Sequence, residues 1–339
     1  MSYILINSEN FFHNLDLIKS RVGSIDKISI VLKDNAYGHG LEQISSLAKE
    51  YGITNAIVRN LNEADLIKDK FKRVLVLSEV EKFEAFDNIS ISVNSIENLK
   101  KFKNGSNIEL KVDSGMHRNG ILADEFDLAF DIISQKKLNL KAIFTHFRSA
   151  DELSSELFWQ MENFKKIKEK SKDLAKKYSF KDIKFHSANS ATTFRLNSFD
   201  EDFVRVGIAS YGYLENDYLF SKENLKPVLS LFANRVSTRD LLKNQRVGYG
   251  GAFQALENTQ VSTYDIGYAD FLRLNEKHKF TTTCGARILG KVSMDSMSIA
   301  SIKDEICIFD DVTLYARAFD TIVYEILLRL SNTIERRVV

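Results

Sequence analysis

A chain of 339 residues is long enough for two domains, or for one large barrel with an appendage. Its 44% apolar and 27% charged residues describe an ordinary globular protein, and a net charge of +1 gives no reason to expect a nucleic-acid partner. No apolar run approaches the length of a membrane span, and MSYILINSENFF has neither a basic leader region nor a small-residue cleavage site, so a cytoplasmic protein with no membrane partner is expected. Two cysteines, Cys284 and Cys307, are too few for a disulfide framework and lack metal-ligand spacing. They are expected as buried thiols, with no metal bound.

Tyr3 to Ile6 reads as a short strand and Ser8 to Arg21 as a helix. The stretch that follows, ISIVLKDNAYGHG from Ile28 to Gly40, delivers Lys33 to the end of a β-branched apolar run, with a turn before a helix starting near Leu41. A lysine in such a place is costly to bury charged, and its neutral amine then serves as nucleophile or base, Schiff-base chemistry with a carbonyl cofactor included. The plainer alternative is a lysine that snorkels to solvent.

From Ile28 onward, short β-like runs alternate with charged amphipathic helices, the pattern of parallel strands with helical crossovers. The runs are Ile28–Lys33, Asn55–Arg59, Arg73–Leu77, Ile89–Val93, Ile108–Asp113, Leu140–His146, Ile183–His186 and Phe203–Val206. Asn60 with Glu63, and Asn94 with Glu97, have capping-box spacing at two helix starts. Eight repeats in about two hundred residues predict a (β/α)8 TIM-type barrel, whose chemistry belongs at the C-terminal ends of its strands. The unusual residues fall there: Lys33 at the end of the first run, Arg118 after the fifth, His146 at the end of the sixth, His186 and Ser190 at the seventh, and Arg205 in the eighth. The lysine-crowded helix from Ser154 to Tyr178 has glutamate interleaved and reads as a solvated outer face.

The only proline, Pro227, stands where the alternation stops. Runs at Val228–Thr238, Gln260–Tyr268, Thr281–Leu289, Lys291–Ser301 and Ile306–Phe309 predict a mostly β domain, and Phe319–Leu330 a closing helix. The expected division is residues 1–226 for the barrel and 227–339 for the C-terminal domain, with residues 1–7 pairing with the latter.

VLKDNAYGHG resembles the pyridoxal 5′-phosphate (PLP) lysine segment of the alanine racemase family, usually K-A-N-A-Y-G-H-G, with Asp34 here in place of the first alanine. The similarity continues in order through LKVDSGMHRNG, THFRSAD, FHSANSAT, VRVGIASYG, GYGG, DIGYAD and KVSMDSMS, and so spans most of the chain. It implies a PLP-dependent isomerase of fold-type III that interconverts L- and D-alanine by two-base proton exchange at Cα, supplying D-alanine for peptidoglycan. Lys33 then carries PLP and serves the D-enantiomer's face, while Tyr268 serves the L-enantiomer's face. In the family that tyrosine comes from a partner subunit, so a homodimer with composite sites is implied.

By the same resemblance, Tyr37, Ser190, Gly207, Ile208 and Tyr324 hold the PLP phosphate, Arg205 faces the pyridine nitrogen, and His186 holds Arg205. His146 packs against the cofactor. Arg118 and the Met294 amide bind the substrate carboxylate, with Lys111, carbamylated in some relatives, bracing the arginine. The implied alternatives are a serine or broad-specificity racemase of the same fold, a PLP-dependent decarboxylase and a non-catalytic PLP carrier. Three departures stand out: Phe271 where glycine usually follows GYAD, Ser293-Met294-Asp295 where C-M-D is usual, and a shorter C-terminal domain.

Overall fold

The computed structural model describes residues 1–214, 224–271 and 281–339. Its chain divides into two compact units: one of Phe12–Ala36 and Ile44–Leu225, the other of Met1–Phe11, Tyr37–Gln43 and Lys226–Val339.

After β1 (Tyr3–Ile6) come β2 (Ile28–Val31), β3 (Asn55–Val58), β4 (Arg73–Val76), β5 (Ile89–Val93), β6 (Asn107–Lys111), β7 (Asn139–Phe144), β8 (Lys184–His186) and β9 (Val204–Val206). The last eight form one parallel sheet in the order β8-β7-β6-β5-β4-β3-β2-β9. Because β9 returns to lie beside β2, the sheet curls into a nearly closed barrel. Across the remaining seam the Asp202 amide donates to the Phe185 carbonyl at 3.0 Å and the Arg205 amide to the Ala188 carbonyl at 2.8 Å. Strands such as ISIV and NAIV are buried along their whole length, as β-branched runs enclosed on both faces must be. The expected TIM-type barrel is present, and all eight strands fall on the expected runs.

The helix caps differ in detail. Asn60 accepts from the Glu63 amide as expected, but the Glu63 carboxylate turns to the amides of Arg59 (2.8 Å) and Asn35 (3.0 Å). At the other helix start the cap is Ser95, which accepts from the Asn98 amide at 3.1 Å. Asn94 is occupied instead with the Leu77 carbonyl and the Asn119 side chain.

In the other unit, β10 (Leu229–Leu241), β11 (Arg246–Val247), β12 (Phe253–Gln254), β13 (Thr259–Tyr264), β14 (Met297–Ile299), β15 (Glu305–Phe309) and β16 (Glu335–Val338) follow. The long β10 organises this sheet. Its first residues pair antiparallel with β1 and β15, and after a register shift between Arg235 and Ser237 it continues against β13. β1 also runs parallel to β16, and Tyr3 stacks on Phe232 across the β1–β10 pair at 5.2 Å.

Thr281–Leu289 and Lys291–Ser301, expected as strands, contain only the bridges Thr281–Arg287 and Ile288–Ile299 and the three residues of β14. Gly285 and Gly290 interrupt them with positive φ. The expected closing helix is two short helices, Thr313–Ala318 and Val323–Leu328, separated around Asp320 at φ +51°. Cys284, expected buried, is exposed, and Cys307 is half-buried.

Candidate active site

Lys33 does not end a strand: β2 stops at Val31, and Lys33 opens a turn in which Asp34, Asn35, Ala36 and Tyr37 all have φ between +51° and +55°. Four successive L-residues in left-handed helical geometry cost about 1–2 kcal/mol each, so the surroundings must hold them there. The Ala36 amide donates to the Leu32 carbonyl at 2.8 Å, the Asn35 amide to the Glu63 carboxylate, and the Arg59 guanidinium to the Asp34 carboxylate at 2.9 Å. In the unit to which it belongs, Tyr37 is buried and its ring centroid lies 5.7 Å from that of Tyr324.

Around the C-terminal ends of the barrel strands, cations gather. Lys111 closes β6, Arg118 lies in the loop beyond it, and Arg205 sits within β9. Lys111 is buried at 8% exposure and held down to about 8, first by desolvation, then by the charges of Arg118 and Arg205, with Lys33 adding to them. Its amine donates to the Asn119 amide oxygen. The half-buried His146 is driven to about 3 by desolvation and the charges of Arg205, Lys111, Arg118 and Lys33. A neutral imidazole among cations is suited to packing or accepting rather than to counter-charge.

Arg205 is 6% exposed and heavily engaged. One terminal nitrogen donates to the carbonyls of Thr145 (2.7 Å) and Ser187 (2.9 Å), and the other to His186 Nδ1 at 2.9 Å. Burial lowers Arg205 to about 10, still cationic at neutral pH. His186 continues the column: its Nε2 lies 2.9 Å from the Glu109 carboxylate, which Arg73 grips with two N–H groups at 2.9 and 2.5 Å.

Beside this column lies a serine on which backbone amides converge. Asn189 caps the short helix Ser190–Arg195, and the amides of Gly207 and Ala209 converge on Ser190 Oγ at 3.1 and 3.4 Å. The convergent amides are thus Gly207 and Ala209, while Ile208 is buried between them. Glu201 fixes the preceding loop, accepting from the amides of Ser187 and Ala188 and from the Ser187 hydroxyl.

The Arg118 loop is braced from behind. Asp113 accepts from the amides of Gly115 (2.8 Å) and His117 (3.1 Å), Arg148 donates to the Gly115 carbonyl at 2.8 Å, and Asn163 to the Ser114 carbonyl at 3.1 Å. The ring of Trp159, from the helix Glu156–Lys177, presses so closely on Gly115 that a Cβ there would lie 2.3 Å from it. Only glycine fits. Glu109, Arg73, Glu201 and Trp159 escape a reading by motif. The visible signal is a charge set inside an apolar strand run, in IELK and RVLV.

The other unit carries Tyr268 and Met294 on two turns that touch. The Tyr268 amide donates to the Ser293 carbonyl and the Ala269 amide to the Met294 carbonyl, each at 3.0 Å. Gly267 makes this approach possible, since a Cβ there would meet the Met294 carbonyl oxygen at 2.0 Å. Both side chains remain exposed, at 39% and 55%. Phe271 is a core residue, 4% exposed, packed on Phe309 and Tyr315 at 5.4 and 5.3 Å.

The barrel unit is therefore a β/α barrel whose strand ends hold a lysine amine, a surplus of cations and a serine on which two backbone amides converge, the layout of a barrel enzyme. The alanine racemase N-terminal domain family matches residues 6–215 and the C-terminal domain family residues 228–338; the chain belongs to the alanine racemase family. A curated relative, the alanine racemase of a Nitratiruptor species, is 43% identical over 336 residues, covering 99% of each chain. Among solved structures, the alanine racemase of Clostridium difficile 630 matches with a TM-score of 0.89 at 24% identity, over 100% of this chain and 95% of that one. That of Bartonella henselae, with covalently bound pyridoxal phosphate, matches with 0.83 at 23%, over 100% and 99%.

Proposed function

We propose that this chain is a PLP-dependent isomerase that interconverts L-alanine and D-alanine, working in the cytoplasm as a homodimer and supplying D-alanine for peptidoglycan. The observation that carries the reading is the gathering of Lys33, Lys111, Arg118 and Arg205 around His146 at the barrel's strand ends, beside Ser190 and its converging amides. Such a cluster fits a ligand pair that brings a phosphate and a carboxylate. The Bartonella henselae relative, which holds its cofactor covalently, supports the choice of PLP. When bound, PLP supplies the electron sink that acidifies the substrate's Cα–H bond.

The protein's own work is binding, orientation and proton transfer. Ser190, the amides near Gly207 and Ile208, Tyr37 and Tyr324 would hold the phosphate. Arg205, already committed to His186 and two carbonyls, presents a fixed cation that does not give up its proton, a polarising rather than a protonating partner for the ring nitrogen. His146 would pack against the cofactor ring or meet the O3′ network of the cofactor. Arg118 and the Met294 amide would orient the substrate carboxylate; Lys111 would brace Arg118 only as a carbamate, since its amine is repelled by that cation and donates to Asn119.

Exchange of a proton at Cα needs one group on each face of a planar carbon. The Lys33 amine serves the D-enantiomer's face and the Tyr268 hydroxyl, lent by a second copy of the chain, the L-enantiomer's face. The exposure of Tyr268 and Met294 on adjoining turns supports their use by a neighbouring molecule. The division at Pro227, with residues 1–226 and 227–339 as the two domains, belongs to this same reading.

The test is direct. The purified protein is incubated with PLP and L-alanine, and D-alanine is followed by chiral chromatography; a parallel sample is reduced with borohydride and mapped by mass spectrometry. D-alanine formation and a pyridoxyl label on Lys33 are expected. A label on another residue would overturn the site, and turnover confined to serine or larger amino acids would overturn the substrate.

A further inference from the structure

Two residues at the foot of the buried column, Arg73 and Glu109, have no part in binding or proton transfer as described so far. Arg73 opens β4 and Glu109 lies in the middle of β6, yet both aim at His186. Glu109 and His186 are fully buried, and the Arg73 side chain is 15% exposed. Carrying an ion pair into a barrel interior is expensive, and well-packed apolar residues would often be as stable there. The pair therefore needs a reason beyond stability, and the hydrogen-bond geometry supplies one.

His186 is held on every side. Its ring stacks on Phe144 at 4.8 Å with 4° between planes, and meets the edge of Phe203 at 6.2 Å. It therefore cannot turn to seek other partners. Nδ1 faces an Arg205 N–H at 2.9 Å, and a guanidinium only donates. Nδ1 must be the bare nitrogen, which obliges Nε2 to carry the hydrogen and to find an acceptor. The carboxylate of Glu109, at 2.9 Å, is that acceptor. Burial would raise this carboxyl, but the charge of Arg73 and the hydrogen bond from His186 outweigh it and hold Glu109 at about 2, so it is an anion throughout the working range.

Arg73 explains why an anion is required. Its Nη2 lies 3.4 Å from His186 Nε2 while it grips Glu109. With the carboxylate removed, this guanidinium is the donor left beside Nε2, and the imidazole would move its hydrogen to Nδ1. That would set two N–H groups against each other between His186 and Arg205.

We infer that Glu109, clamped by Arg73, is a positioning residue. Its carboxylate locks His186 in the Nε2–H tautomer, and the bare Nδ1 then fixes the Arg205 guanidinium in the orientation that receives the cofactor. The lock acts through two intermediaries and touches no ligand. It rests on the reading of Arg205 as a cofactor contact only in its consequence; the tautomer itself belongs to the protein without ligand.

The test separates the two. In apoprotein labelled with 15N-histidine, with the His186 signals identified by their loss in His186→Asn, an unprotonated Nδ1 and a protonated Nε2 are expected between pH 6 and 8; an Nδ1–H tautomer or an imidazolium would overturn the inference, whatever the enzyme's activity. In Glu109→Leu, which leaves Nε2 without the acceptor that a glutamine would still supply, the tautomer is expected to shift toward Nδ1–H. PLP is expected to bind about ten- to a hundredfold more weakly, the range seen when an outer partner of a ligand-binding side chain is removed. Glu109→Asp should recover part of both effects. An unchanged tautomer with unchanged PLP affinity in Glu109→Leu overturns the positioning role, and should that variant not fold, the wild-type spectrum still decides. A shifted tautomer with unchanged PLP affinity would uphold the lock and overturn instead the assignment of Arg205 to the cofactor.

Discussion

The two units handle their chemistry-bearing side chains in opposite ways. In the barrel unit Lys111, Arg205, His186 and Ser190 are at most 8% exposed, each fixed by partners from neighbouring strands and loops. In the β unit Tyr268 and Met294 stand 39% and 55% exposed on turns pinned to each other through backbone hydrogen bonds. A buried cation among cations is expensive, and an anionic partner or loss of a proton relieves it. An exposed phenol on a rigid turn is cheap and becomes useful only when something is brought to it. Under the proposed function, the barrel would receive the ligand and the β unit would be lent to a second copy of the chain.

The sharpest way to break that division is to separate its two halves. Lys33→Ala and Tyr268→Phe should each lose racemisation by at least about a hundredfold, the scale of a positioned acid or base. Mixed and allowed to exchange subunits, the two inactive proteins should regain activity, because one of the two sites in a mixed dimer keeps both wild-type groups. A mixture that exchanges subunits yet stays inactive would mean that the site is not shared.

Next in size is Arg118→Leu. Loss of a charge-assisted hydrogen bond to a carboxylate, about 1.5–3 kcal/mol, should raise KM for alanine by roughly ten- to a hundredfold. PLP binding should change far less. Equal losses in both would place Arg118 with the cofactor rather than the substrate, and steady-state kinetics beside a PLP titration separates the two.

The smallest effect is a pH dependence of stability in the apoprotein. His146 and His186 are held at about 3 and about 4 when folded and return to 6.5 when unfolded, so the unfolded chain takes up protons that the folded one refuses. Their contribution is fully present above about pH 6.5 and is lost as pH falls from there toward the folded values. Glu109, held at about 2 against 4.5, adds a further loss only below about pH 4.5. The melting temperature should therefore fall between pH 7 and 5, and His146→Asn should flatten the fall. A flat profile in the wild type would show that the histidines are not buried neutral.

Much of this is legible in the amino-acid sequence alone. The eight barrel strands lie on the expected runs because enclosed parallel strands favour β-branched, continuous sequence; Lys33, Arg118 and His146 lie beyond the strand ends, His186 closes β8 and Arg205 sits within β9. The turn from Asp34 to Tyr37 was not legible: no propensity predicts four non-glycine residues at positive φ, which tertiary partners impose. The β unit was read less well for a related reason. Thr281–Leu289 and Lys291–Ser301 have strand composition, but glycine turns and close backbone approaches set their path. Ser95 took the cap expected of Asn94 because Asn94 is drawn to Leu77 and Asn119, long-range partners that a local pattern does not contain. Glu109 was missed likewise: one carboxylate inside IELK acquires meaning only when Arg73, in a different strand, is brought against it.

The most direct test follows the α-hydrogen of each enantiomer separately in deuterated water, using Tyr268→Phe protein loaded with PLP. The Lys33 amine should still exchange the α-hydrogen of D-alanine, while exchange from L-alanine collapses. Equal loss from both enantiomers, or none from either, would contradict an amine and a phenol working on opposite faces.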